Sequence, residues 1–350
     1  SEDWPTYRHD ARRSGATATS VPADVSQQWQ VSLPGPITPP VVADGRVYAA
    51  AKDEHTLYAF GVADGGELWK YIAGGRIDSP PTIYQGMVLF GCADGRVYCL
   101  RASDGELVWR YRPVADDRRI MAFNQLESAW RVHGSVLVTG GVAYCTAGRS
   151  SVLDGGLRLV GLDPATGRVR CEARLDTRSP VRGDFQGQPF VPSYHVEGSH
   201  SDVLVAEGEH IYLTQYQFDR DLVPQDAPYL MPDEDDPVSA LDITKADYTI
   251  SDPDMEAGFE HFRGFHRYME KAHPQLTKEY TEKHGGLSMG DRKTGVHLAT
   301  TSGFLDDTWF NRTFWMYSGV WPGWYHAHRG AKSGQLLVVG PERTYALQAY

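Results

Sequence analysis

The chain has 350 residues, enough for one large domain or two ordinary ones. Its formal net charge of -11 at pH 7 argues against a nucleic-acid partner, which calls for clustered Lys and Arg. No apolar run approaches the roughly 20 residues a helix needs to span a bilayer, so no transmembrane segment is expected.

The chain opens Ser1-Glu2-Asp3-Trp4 with no apolar leader, which suggests a mature, exported protein with its signal peptide removed. The first strand-like stretch, "QQWQVSL" (27–33), reads as an outer strand with no blade before it. From 44 onward the chain repeats itself. "DGRVYAAAKDEHTLYAFGVADGGELWKY" (44–71) and "QGMVLFGCADGRVYCLRASDGELVWRY" (85–111) share one layout of strands and Asp-Gly turns, ending in Trp-x-Tyr. Tyr98, Trp109 and Tyr111 follow Tyr58, Trp69 and Tyr71 by 40 residues, and Trp29 precedes Trp69 by 40. Alternating apolar residues between turns that tolerate positive φ predict β-hairpins. A unit of this length cannot bury both of its faces alone, so the units must pack around an axis. The fold class is therefore an all-β, β-propeller one, with four-stranded blades.

A third, degraded copy is "GLRLVGLDPATGRVRCEA" (156–173), in which Cys171 stands where Trp109 stood. A partial copy fills 334–350 and lacks the Trp tail. About six blades are expected in one domain over 1–350, with the strand near 27–33 completing the last blade. Cys92, Cys99, Cys145 and Cys171 each fall within a strand, where buried free thiols are expected.

Two interruptions break the repeat. The first, 115–134, carries Arg118, Arg119, Asn124, Gln125, Glu127 and Trp130, and reads as a loop over one end of the propeller or a pocket wall. The second is an insertion over 220–297. It holds an acidic run (231–249), then Met255, Phe259, Phe262, Phe265, Tyr268 and Met269 at helical spacing, so one amphipathic helix is expected within 252–276.

The stretches "LYAFGVADGGELWKY", "VYCLRASDGELVWRY" and "LVGLDPATGRVRCE" resemble the PQQ-like propeller repeats of the quinoprotein alcohol dehydrogenase superfamily. The resemblance implies that the tryptophans dock between neighbouring blades. It implies little about activity, because that superfamily holds both PQQ-dependent dehydrogenases and cofactor-free scaffolds. The adjacent cysteines of methanol-dehydrogenase-like members are missing here, which disfavours PQQ with calcium, and no C-x-x-C-H signals a haem.

The aromatic stretch 306–330 is the candidate site. Asp306, Asp307, Arg312, His326 and His328 are candidate catalytic groups, and His326 and His328, two apart on a strand, are candidate metal ligands. Trp309, Asn311, Trp315, Tyr317, Trp321, Trp324, Tyr325 and Arg329 are candidate ligand contacts. Aromatic platforms with polar groups suit a glycan or other polar small molecule. The competing expectations are inter-blade packing, a quinone site with Ca²⁺, and a scaffold for envelope proteins. A periplasmic or secreted location fits all of these.

Overall fold

The computed structural model describes residues 3–150, 154–175, 203–214, 216–225, 292–300, 303–304, 315–321, 332–334 and 336–347. The copies found in the sequence form antiparallel sheets of a β-propeller. The first sheet runs β1 (Val41–Ala43), β2 (Arg46–Ala51), β3 (Thr56–Gly61), β4 (Glu67–Ile72). The second runs β5 (Thr82–Tyr84), β6 (Met87–Cys92), β7 (Arg96–Arg101), β8 (Leu107–Tyr111). A two-stranded hairpin follows, β9 (Arg119–Ala122) with β10 (Gln125–Ser128).

The third sheet is β11 (Leu137–Thr139), β12 (Val142–Ala147), β13 (Leu157–Leu162), β14 (Val169–Leu175). The fourth is β15 (Leu204–Glu207), β16 (His210–Leu213), β17 (Tyr216–Phe218), β18 (Pro224–Gln225). Beyond it, β19 (Arg292–Thr300), β20 (Trp315–Trp321) and β21 (Lys332–Gly334) form one sheet, and β22 (Leu336–Val339) pairs with β23 (Thr344–Leu347).

The register repeats as faithfully as the sequence. Val41, Tyr48, Ala59 and Trp69 stand opposite one another across the first sheet. Thr82, Leu89, Cys99 and Trp109 do so in the second, and Leu137, Tyr144, Gly161 and Cys171 in the third. Each row is followed by a register shift, at Ala59/Phe60, Cys99/Leu100 and Gly161/Leu162. Strands are apolar on both faces because each blade is sandwiched. Val88, Phe90, Tyr98 and Leu100 pack toward the first sheet, while Leu89, Val97 and Cys99 pack toward the third. Cys92, Cys99 and Cys145 are buried and Cys171 half-buried, all as free thiols.

The tryptophans lock neighbouring blades through one recurring contact. Trp69 Nε1 donates to the Ala102 carbonyl (3.0 Å) and Trp109 Nε1 to the Pro164 carbonyl (2.9 Å). Each indole lies flat against the glycine three residues further on, Gly105 or Gly167. Cys171, at the Trp position of the third blade, faces the Arg220 carbonyl at 3.7 Å, so the smaller side chain fills the same slot against the fourth blade.

Trp29 makes this contact as well, donating to the Val62 carbonyl (2.8 Å) and lying against Gly65. The rest of 27–33 differs from expectation: it forms no strand among the described residues and is largely exposed. Its residues meet the first blade through the indole and not through a backbone ladder. No helix occurs among the described residues, and the helix expected in 252–276 lies outside them. Of the expected insertion of 220–297, Pro224–Gln225 form β18 and Arg292 onward belongs to β19.

The indole contact can be isolated with a matched pair of substitutions. Gly86 and Gly105 share a φ of +75°, but a Cβ on Gly86 meets nothing within 4 Å, whereas one on Gly105 lies 2.6 Å from the Trp69 ring. Both alanine variants bear the same backbone strain. Gly105→Ala is expected to lose a further ~1–3 kcal/mol by overpacking, measured by denaturant unfolding; equal losses would contradict the docking.

Candidate functional site

Residues 4–15 occupy the axis that the inner strands enclose. β5, β11, β15 and β19 lie side by side around that axis. The segment meets the sheets in turn. Trp4 bridges Val42 beside β1, the Pro5 carbonyl accepts Ile83 N–H (2.7 Å), the Ala11 carbonyl accepts Ala206 N–H (2.8 Å), and the Ser14 carbonyl accepts Val339 N–H (3.0 Å). Backbone edges that would otherwise be buried without partners are thereby satisfied. Positive φ at Arg8 (57°), His9 (80°) and Arg13 (57°) makes the turns tight, and the Asp10 carboxylate holds them by accepting from Ser14 N–H (2.9 Å) and Ser14 Oγ (2.6 Å).

Two arginines fasten the segment. Arg13 is fully buried. Its Nε donates to the Leu204 carbonyl, Nη1 to Thr6 Oγ1 and the Tyr7 carbonyl, and Nη2 to the Ser135 and Val136 carbonyls. These bonds span 2.7 to 3.3 Å and use all five donors of the guanidinium. Burial lowers its pKa to about 10, so it stays charged at neutral pH, solvated by carbonyl dipoles. Arg8 donates to the Leu337 and Arg13 carbonyls and lies 4.1 Å over the Trp315 ring. Thr6 Oγ1 meets Thr82 Oγ1 at 2.8 Å, and Thr82 Oγ1 donates to the Val136 carbonyl (2.5 Å).

A layer of buried charge sits where the chain enters the second and third inner strands. Arg76 and Asp78 precede β5, and Arg131 and His133 precede β11 at equivalent positions, 55 residues apart like the strands they lead into. Glu127 of β10 joins them. Arg76 Nη2 lies 2.8 Å from Asp78 Oδ1, Arg76 Nε 3.1 Å from Asp53, Arg76 Nη1 3.6 Å from Glu127, and Arg131 Nη1 3.2 Å from Glu127. The Asp78 and Glu127 side chains are each only 1% exposed. Neither Asp78 oxygen accepts an aligned hydrogen bond among the described residues. Burial raises the Asp78 pKa, outweighing Arg76, His133, Lys52 and Arg131, and burial raises that of Glu127, outweighing Arg131.

Hairpin β9–β10 covers this layer. Its turn residues Phe123 and Asn124 have φ of 50° and 60°, and the Phe123 ring lies 4.2 Å from the Arg76 guanidinium carbon. Gln125 ties the hairpin to the first blade through His55 Nε2 (2.6 Å) and the Asp53 carbonyl (3.2 Å). Met121 and Leu126 are cross-strand partners on its outer face, exposed by 73% and 55%. The polar first interruption is thus a covering hairpin with an apolar outer face.

The candidate residues of 306–330 are placed only in part. Trp315 and Tyr317 are on β20. Trp315 is buried beneath Arg8 and packs with Tyr7, while Tyr317 is partly buried against the same cluster. Trp315 is therefore a core residue of the axis and not a ligand platform. Trp321 ends β20, paired with Arg292 of β19. Asp306, Asp307, Trp309, Asn311, Arg312, Trp324, Tyr325, His326, His328 and Arg329 lie outside the described residues. Among the described residues no group of three or more His, Cys, Asp or Glu is placed to hold a metal ion, and no helix is long and apolar enough to cross a membrane. The aspartates, Asn311 and Arg312 of 306–330 that would hold a quinone with Ca²⁺ lie outside the described residues.

Residues 14–206, more than half of the chain, match the family described as outer membrane protein assembly factor BamB. The chain belongs to this family of PQQ-like propeller repeats. It is 30% identical over 100 residues to the BamB of Burkholderia pseudomallei, covering 28% of this chain and 26% of that protein. It is 28% identical over 144 residues to the BamB of Nitrosomonas eutropha, covering 41% and 31%. A DNA damage-responsive serine/threonine-protein kinase of Deinococcus radiodurans, RqkA, is 30% identical over 118 residues, covering 31% and 18%. The matches thus span less than a third of each curated relative's length. Among solved structures, the quinohemoprotein alcohol dehydrogenase ADHIIG of Pseudomonas putida HK5 aligns with 62% of this chain and 34% of its own, at 17% identity and a TM-score of 0.45. BamB from Moraxella catarrhalis aligns with 56% and 52%, at 18% and 0.38.

Two measurements check the site. Arg13→Met strips the donors from four backbone carbonyls and Thr6 at once. Each buried group left unpaired costs about 1–3 kcal/mol, so the variant should lose most of the stability seen in denaturant. Arg13→Lys, which keeps the charge but cannot reach five acceptors, should rescue only part of it. A fully stable Arg13→Lys would contradict the role assigned to the fork of donors.

The carboxylates predict a pH dependence. Folded-state values above the unfolded ones mean that their contribution is complete below about pH 4 and is lost as pH rises through the raised values. Asp78→Asn, measured against the parent chain by unfolding at several pH values, should therefore gain ground between pH 4 and neutrality. A constant difference would contradict the burial of a charged Asp78.

Proposed function

We propose that the chain is a non-catalytic propeller of the bacterial cell envelope that presents its faces to protein partners. The observation that carries this reading is the filled axis. A propeller that works on a small molecule uses the channel mouth, and here residues 4–15 and the paired charges above them take that space. The exposed Met121 and Leu126 on the outer face of the hairpin offer an apolar anchor for a protein. Membership in a family described by an outer-membrane assembly factor supports the same reading, with a periplasmic location.

The test is site-specific photo-crosslinking from position 121 in living cells. A discrete adduct that disappears on Leu126→Asp is expected. No adduct from 121, together with a stoichiometric quinone in the purified protein, would overturn the scaffold reading in favour of a dehydrogenase.

A second reading, a glycan or other polar ligand bound over 306–330, rests on Trp309, Trp321 and Trp324 and the charged residues of that stretch. Under it, Arg312→Ala or His328→Ala abolishes ligand binding. Retained binding of every candidate glycan by both variants counts against it.

A further inference from the structure

Hairpin β9–β10 leaves one of its two edges open. Ser128 N–H donates out of the hairpin, to the Ala93 carbonyl (2.8 Å), so Ser128 and the Arg119 facing it are a pair that exchanges no ladder bonds. Such pairs alternate along antiparallel strands, and the next is Met121 with Leu126. The backbone N–H and C=O groups of Arg119 and Met121 therefore point away from β10. Among the described residues none of them has a hydrogen-bond partner. β10 turns toward the ring, through Ser128 to the second blade and through Gln125 to His55 and the Asp53 carbonyl of the first. β9 turns away from it. Its edge has no proline, no bulge and no described sheet beside it, so the usual protections of an edge strand are missing. Arg119 and Met121 also share the outer face with Leu126, because side chains two apart on a strand point the same way. Met121 and Leu126 are exposed there, and so is Arg119. Arg118 pairs with Asp154, whereas Arg119 forms no ion pair among the described residues.

We propose that β9 takes up one extended segment of a partner protein as a third strand of the hairpin, a segment with an apolar residue and a carboxylate two positions apart. The proposal rests on the scaffold reading above and says how the partner is held. The open groups of β9 recur at every second residue. An extended chain offers donors and acceptors with that repeat, whereas a helix uses its own within itself. An added strand also sets every second side chain on the outer face, beside Arg119 and Met121. An apolar residue beside Met121 widens the strip that Met121 and Leu126 begin. A carboxylate two positions away then meets the Arg119 guanidinium, an unpaired cation on a chain of net charge -11. Backbone pairing supplies the docking, and these two side chains select the segment.

The probe is a synthetic nine-residue peptide in which threonine alternates with valine and glutamate in turn, titrated into the full chain up to its solubility limit. Hydrogen exchange at the Arg119 and Met121 amides should slow about tenfold when the peptide is bound. The Leu126 amide, on the opposite edge, should not change. The same peptide with lysine in place of glutamate should bind at least about threefold more weakly. Met121→Pro removes an outward N–H and leaves the β9–β10 ladder bonds, so it should abolish binding; Met121→Ala keeps the N–H and should only weaken it. Unchanged exchange in β6 shows that the proline variant is folded, and protection in the parent chain decides the matter if it is not. In cells, an adduct formed by photo-crosslinking from position 126 should survive Met121→Ala and be lost on Met121→Pro. An adduct that survives both, or a peptide that leaves both amides exchanging freely, would overturn strand addition and leave the scaffold reading intact. No adduct from 121 or 126 in the parent chain would remove the scaffold reading, and strand addition with it. A dimer in native mass spectrometry that Met121→Pro abolishes would overturn the proposal in favour of a second copy of this chain on the same edge.

Discussion

The Arg13 guanidinium is the interaction on which the architecture turns. A ring of blades leaves an axis lined with inner-strand backbone, whose polar groups need partners. Here a short segment of the chain fills the axis, and one planar cation with five donors reaches the third and fourth sheets and the segment's own turns together. No carboxylate pairs with Arg13 among these bonds. Its charge is balanced by carbonyl dipoles, a solution available to arginine because its fork is rigid and its hydration weak. Arg8 extends the same logic to the last two sheets, through the Leu337 carbonyl of β22 and the face of Trp315 on β20.

Around this axis the blades repeat one device, an indole laid on a glycine turn with its N–H on a carbonyl three residues earlier. The device is local to each pair of neighbours, so the blades are held from outside by tryptophan and from inside by the axial segment. What is left free for function is the rim. The described part of that rim carries a hairpin of ten residues that is apolar outside and charged beneath.

The fold was legible because its signals are periodic. Tyr58 and Tyr98, Trp69 and Trp109, and Gly105 and Gly167 reveal the blades before any coordinate is known, and Cys171 reveals where the pattern weakens. The axial segment was not legible, since "WPTYRHDARRSG" occurs once and its arginines look like solvated surface residues. A lone contact of that kind has no period to betray it. The charged layer lies between these cases. Arg76 and Arg131 stand at the same place in successive repeats, 55 apart, and an alignment carried past the strands into the connectors would have paired them. Trp315 misled for a plain reason: four tryptophans in one stretch suit a ligand platform and a core equally well, and the buried one packs against an arginine from the far end of the chain.

Residues 4–15 are an integral part of the propeller and close its axis. Val21 and Val25, on the connection that follows, are 71% and 77% exposed and suit a protease such as elastase. Limited cleavage there followed by native mass spectrometry gives the most direct test. The severed amino-terminal peptide should stay bound through purification and leave only when Arg13 is replaced or the protein unfolds. A peptide that dissociates at once from an otherwise folded propeller would contradict it.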